Sequence, residues 1–137
     1  MTAETKSRPL SPHLTIYKPQ ISSVLSISHR LTGFFLYLGL LIAAWNIIFI
    51  TFDGSSLADF FVSSSAAFFN SILGKIALFF WVFSFYYHFA NGIRHLLWDS
   101  GRGFSINSVK ITGIIVVVTS IALTLFTWFN GMSTILG

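Results

Sequence analysis

Three long stretches of the chain contain no charged residue: Leu31–Phe52, Ile76–Ile93 and Ile111–Phe129. A helix needs about 20 residues to cross the hydrocarbon core of a bilayer. These stretches are continuously apolar, unlike the roughly ten-residue alternating segments of a membrane barrel. They predict three membrane-spanning helices, at about 24–52, 71–98 and 109–130, behind a polar arm at 1–22. Between the first and second spans, Leu57, Phe60 and Phe61 recur at i, i+3, i+4. That spacing predicts a short helix lying in the membrane interface, with Ser63, Ser64 and Ser65 following its apolar residues. The chain shows no internal repeat and no heptad pattern.

Composition sharpens this picture. The 137 residues are 54% hydrophobic and only 9% charged, with 16 Phe. A soluble domain carries roughly 25% charged residues, and a disordered chain is polar and poor in aromatics. Both classes are excluded, leaving an all-α integral membrane protein read as one domain over 1–137. The absence of Cys removes disulfide frameworks, cysteine-based zinc or iron–sulfur sites and thioether-linked haem. The N-terminal arm carries Glu4, Lys6, Arg8 and Lys18, and three prolines, and has no secretory apolar core.

The basic residues set an orientation. Lys6, Arg8, Lys18 and Arg30 precede the first span, and Arg94, Arg102 and Lys110 lie between the second and third. Residues 53–70 and 130–137 carry no Lys or Arg, and only Lys75 departs from the pattern. The positive-inside rule puts the N-terminus and the 94–110 loop inside. This asymmetry accounts for the net charge of +4 without a nucleic-acid partner.

Ionisable groups within spans are costly, so those that persist are candidates for function. His88 lies within the second apolar stretch. A neutral imidazole there fits a haem ligand, and it fits equally a helix–helix hydrogen bond to a Ser or a backbone carbonyl. His95 is seven residues on, on the same face and about 10 Å nearer the inner surface. That is too far for a second axial ligand and suitable for the propionates of an upright haem. Arg94 shares this level and suits a carboxylate, or it snorkels to the interface. On the first helix, Ser22, Ser26, His29, Arg30 and Gly33 form a polar stripe. Ser26 and Arg30, one turn apart, could bind a carbonyl oxygen and stabilise charge on it, as a quinone requires, or they cap a snorkelling helix start. Gly33 lets a flat ligand or another helix approach. His13 reads as a surface or partner-facing residue. Trp98 reads as an interfacial anchor, and Asp99 as a partner for Arg102 or Arg94 or a proton relay. The third span offers only Ser and Thr and reads as packing. There is no phosphate loop, nucleophile–base pair or carboxylate cluster.

Three segments carry a family resemblance: Arg8-Pro9-Leu10-Ser11-Pro12-His13-Leu14-Thr15-Ile16-Tyr17, Ser26-Ile27-Ser28-His29-Arg30-Leu31-Thr32-Gly33, and His88 through Asp99. The chain resembles the cytochrome b subunits of succinate dehydrogenase, the succinate:quinone oxidoreductases of respiratory complex II, in their mitochondrial and related bacterial branch. The resemblance implies a three-helix anchor forming half of a heterodimeric bundle. One haem b is shared with a second small membrane-anchor subunit, and ubiquinone is the substrate. A flavoprotein subunit and an iron–sulfur subunit complete the complex.

By that resemblance, His88 is the axial ligand, with the other ligand on the partner anchor. His29, Arg30 and His95 surround the propionates, joined by Arg94 from the depth reading above, Ser26 and Arg30 bind quinone, and Asp99 is a possible proton relay. It implies a bacterial inner membrane with a cytoplasmic N-terminus, or the mitochondrial inner membrane. A quinol:fumarate reductase anchor is the near alternative. A transporter would distribute polar groups through the depth of all its spans, and here they gather toward the inner half. A purely structural anchor would carry no pigment.

Overall fold

In the computed structural model the described residues are 16, 18–52 and 56–136, excepting the side chains of 52 and 132–136. The motif at 8–17, apart from Ile16, and with it His13, lies outside them. Four helices follow in order: α1 Ile21–Phe52, α2 Ser56–Asn70, α3 Ile72–Asp99 and α4 Ile106–Leu136. Among the described residues there are no strands. Three helices are long and apolar enough to cross a membrane, over Ile21–Thr51, Ile72–Asp99 and Ile106–Gly131. Helix α1 has 32 residues, about 48 Å at 1.5 Å per residue. That exceeds an apolar core of about 30 Å, so α1 either tilts or projects beyond it. The polar stripe is its first three turns.

Local chemistry sets the helix boundaries. Ser71 N-caps α3, its hydroxyl accepting from the Gly74 N–H at 3.1 Å. The end of α3 is closed by two bonds, Gly101 N–H to Trp98 O at 2.8 Å and Arg102 N–H to Leu97 O at 3.2 Å. This turn needs a left-handed residue, and Gly101 supplies it with φ 77°. Ser105 then starts α4, its hydroxyl accepting from the Ser108 N–H at 3.2 Å.

The bundle has a small apolar core and an unusually polar interior. Leu25 of α1, Tyr87 of α3 and Val116 of α4 form its centre, with Phe83, Ala90 and Val117 packed around them. The Tyr87 hydroxyl donates to the Leu25 carbonyl at 3.0 Å, tying α3 to α1. Ser84, Asn91, Arg94, Ser120 and Thr124 are also buried. Ser120 and Thr124 bond back to carbonyls one turn earlier, at 2.6 and 2.7 Å. Each hydroxyl is thus satisfied within its helix while its small volume lets α3 and α4 pack closely. The Tyr86 and Thr127 hydroxyls bond at 2.7 Å across the same seam. The packing role read for the third span is the one the structure shows.

The large apolar side chains face outward. Ile50, Leu96 and Phe126 are 69%, 68% and 68% exposed. In water such a surface would aggregate; against lipid or a partner helix it is covered.

Helix α2 forms where the Leu57, Phe60, Phe61 spacing predicts it. It packs against the C-terminal half of α1 and against α3. Phe61 stacks on Phe49 at 5.0 Å, and the Ser65 hydroxyl donates to the Asn46 side-chain oxygen at 2.6 Å. That bond supplies a partner for an amide placed deep in the first apolar stretch.

Candidate functional site

The polar stripe of α1 and the His88 segment of α3 face each other. His88 is half-buried. Its Nδ1 lies 3.0 Å from the His29 backbone carbonyl and 3.4 Å from the Thr32 hydroxyl. A carbonyl oxygen accepts and never donates, so Nδ1 carries the proton of the neutral ring. The lone pair is then on Nε2. The helix–helix bond and the ligand role, which stood as alternatives for His88, are compatible: one nitrogen makes the bond and the other is left to ligate.

Gly33 makes this approach possible. A Cβ at position 33 would lie 2.9 Å from His88 Cε1. The glycine thus seats the imidazole itself. One turn beyond His88, a Cβ at Gly92 would have nothing within 4 Å, so this part of the His88 face is open.

His29 lies closer to His88 than His95 does. Its ring stacks on that of His88 at 3.9 Å and 10°, and it meets the His95 ring at 5.1 Å and 47°. His95 in turn meets Trp98 edge-on at 5.2 Å. Three imidazoles and an indole thus run from α3's middle toward its end. His29 Nδ1 is buried without a hydrogen-bond partner among the described residues, an orphan that a polar group of a ligand would satisfy. Among the described residues, no three His, Cys, Asp or Glu side chains are arranged to hold a bare metal ion.

Arg94 is held elsewhere. It is 3% exposed and turned toward α4. Its Nε donates to the Thr112 hydroxyl at 3.1 Å and one terminal nitrogen to the Val109 carbonyl at 3.1 Å. The other reaches the Asn91 side-chain oxygen at 3.3 Å. Its guanidinium also lies 4.1 Å from the centre of the Trp98 ring. All three hydrogen bonds end on neutral oxygens. The pairing with Asp99 considered from sequence is therefore not formed; Asp99 is exposed at the last residue of α3.

Ser26 is half-buried and Arg30 exposed, one turn apart on α1. The structure thus brings His29, His88 and His95 together, turns Arg94 into the α3–α4 seam, and leaves Arg30 and Asp99 on the outside. Sequence reasoning assigned no role to Thr32, Asn91 or Thr112. For Thr32 the signal was available, since it lies three residues after His29 at the edge of the polar stripe.

Fold and site together define a multi-pass α-helical membrane subunit with a histidine cluster between its first two spans. Residues 4–127 match the family described as Succinate dehydrogenase/Fumarate reductase transmembrane subunit. The succinate dehydrogenase cytochrome b556 subunit of Rickettsia prowazekii (strain Madrid E) is 50% identical over 121 residues, covering 88% of this chain and 90% of the relative. The cytochrome b560 subunit of Reclinomonas americana is 38% identical over 89% and 85% of the two chains. The mitochondrial cytochrome b560 subunit of Mus musculus is 39% identical over 85% and 68%. The chain belongs to the succinate dehydrogenase/fumarate reductase transmembrane subunit family, and is a membrane-anchor component of complex II.

Proposed function

We propose that this chain binds haem b through His88 and helps bind ubiquinone, passing electrons from succinate oxidation to quinone. The observation that carries this reading is the His88 Nδ1 bond to the His29 carbonyl, which leaves the Nε2 lone pair to ligate. The open space beside Gly92 and the orphaned His29 Nδ1 suit a flat macrocycle with polar edges. The relatives' names, cytochrome b556 and b560, point to the same cofactor. His88 would hold haem b, shared with the partner anchor subunit, and the bound group would supply a one-electron centre. His29, Arg30 and His95 would bind its propionates, and Arg94, held on Thr112 and Val109, would add positive charge at the level of His95.

The residues of this chain handle quinone by position and charge. Ser26 donates to a quinone carbonyl oxygen, and the Arg30 guanidinium stabilises the negative charge that develops there. Succinate gives up two electrons and two protons to become fumarate. Quinone takes two electrons and two protons to become quinol, and Asp99, exposed at the end of α3, passes protons on in this reading. The partners are the flavoprotein, the iron–sulfur subunit and the second anchor subunit. The membrane is a bacterial inner membrane with the N-terminus cytoplasmic, or its mitochondrial counterpart. The relatives named here are succinate dehydrogenase subunits, which favours succinate oxidation over fumarate reduction.

Purified complex carrying His88→Ala is the direct test. It is expected to assemble with loss or strong alteration of the reduced haem-b absorption. An unchanged spectrum overturns the ligand assignment.

A further inference from the structure

We infer that Thr32 and Gly33 are positioning residues for His88, Thr32 supporting the Nδ1 proton that the His29 carbonyl fixes and Gly33 deciding where the ring stands. This rests on the haem-ligand reading of His88 and goes beyond it by naming what orients the ligand. Neutral histidine exists as two tautomers of similar energy, and only the one with a bare Nε2 can ligate through that atom. Two oxygens converge on His88 Nδ1, the His29 carbonyl at 3.0 Å and the Thr32 hydroxyl at 3.4 Å. The shorter contact is the principal bond.

The threonine oxygen acts as an acceptor because its own proton is committed elsewhere. It lies 2.9 Å from the carbonyls of both Ser28 and His29, and each of these can only accept. With its hydrogen on one of those carbonyls, Thr32 presents lone pairs to Nδ1–H. A bare Nδ1 would lose its bond to the carbonyl and could regain one only by drawing the Thr32 proton off the Ser28 and His29 carbonyls, so the alternative tautomer is disfavoured. Gly33, the next residue, removes the one side chain that would push the ring away, since a Cβ there stands 2.9 Å from Cε1. Thr32 supports the proton that the His29 carbonyl fixes, and its neighbour sets the distance.

The chemical consequence is electronic as well as steric. An N–H donating to well-placed acceptors gives the imidazole a more basic opposite nitrogen, which favours ferric over ferrous iron. Removing an acceptor raises the haem midpoint potential. Loss of a group that supports a metal ligand costs metal affinity about 10–100-fold.

The test is a set of variants in the assembled complex, read by redox titration, reduced-minus-oxidised spectra and the rate of haem transfer to an excess of scavenging apoprotein. Thr32→Val keeps the shape and removes the oxygen. It is expected to raise the midpoint potential, shift the reduced α-band and speed haem loss by about tenfold, the low end of that range. Thr32→Ser keeps the oxygen and is expected to restore all three. Gly33→Ala is expected to lower haem content in complex that still oxidises succinate with an artificial acceptor. The inference is overturned if Thr32→Val leaves potential and spectrum unchanged, or if Thr32→Ser behaves like Thr32→Val. His88→Ala separates the two levels. If it retains the pigment, the ligand reading itself fails. If it loses the pigment while the Thr32 variants do not move, only the positioning role fails.

Discussion

Arg30 and Arg94 carry the same guanidinium in opposite environments. Arg30 is exposed on α1, whereas Arg94 is 3% exposed and donates to Thr112, Asn91 and Val109. Removing a buried partner leaves acceptors unsatisfied, and hydrogen bonds to a charged group contribute about 1.5–3 kcal/mol. Arg94→Met is therefore expected to destabilise the assembled complex by about 3 kcal/mol, the upper end of that range. Arg94→Lys should recover little, because an ammonium cannot reproduce the planar fork. Arg30→Ala should leave stability nearly unchanged and lower quinone reduction, while succinate oxidation with an artificial acceptor persists. Thermal melts of purified complex, run beside the two activity assays, separate the cases. Equal loss of both activities in Arg30→Ala would instead mark an assembly defect. The sequence put Arg94 level with His95 but said less about its direction. Six residues from His88 is about 120° around a helix, whereas the seven to His95 return to nearly the same face. Depth follows from counting along the chain; direction also needs the neighbouring helix, and α4's Thr112 and Val109 are what turn Arg94 away.

At the scale of elements, the helices were legible because their signals are local. Uncharged length marks α1, α3 and α4, and the Leu57, Phe60, Phe61 spacing marks α2. The α1 stripe extends that helix before Leu31, and the observed start is Ile21. The seating of His88 on Gly33 was less legible, because a glycine in a stripe announces close approach without naming the visitor. The α3–α4 connection is a second place where one residue type is required. Gly101 has φ 77° and open space where a Cβ would stand, so a substitution there costs backbone energy alone. Gly101→Ala is expected to destabilise by about 1–2 kcal/mol, the ordinary cost of a left-handed conformation for an L-residue. Gly101→Asn should cost less, since asparagine tolerates that region better. Melting temperatures of the two variants give the comparison, and an Ala variant as stable as the parent would show that the turn re-forms with another geometry. The closing bonds to Trp98 and Leu97 set the end of the helix that carries His88 and His95.

The whole molecule is inside out by the standards of a soluble protein, with hydroxyls, an amide and a guanidinium buried and its largest apolar groups outside. A bilayer makes that arrangement stable, and the charge distribution then decides which way it faces. The structure refines the count of basic residues. Arg94 is buried between α3 and α4, so the positive-inside count for the 94–110 loop rests on Arg102 and Lys110, both exposed. Together with Lys18 and Arg30 they outnumber Lys75, the exposed basic residue at the opposite ends of the spans. The chain has no Cys, so one introduced thiol reports one position. Ser63 on α2 and Asn107 at the start of α4 are both exposed and lie at opposite ends of the bundle. In intact bacterial cells, a membrane-impermeant maleimide is expected to label Ser63→Cys and to spare Asn107→Cys. Permeabilised cells stripped of the peripheral subunits should label both. Labelling of Asn107→Cys alone in intact cells would reverse the orientation. It would also place the inner ends of α1 and α3, with Ser26, Arg30 and Asp99, on the side away from a cytoplasmic dehydrogenase, and the proposed route from succinate to quinone would fail with it.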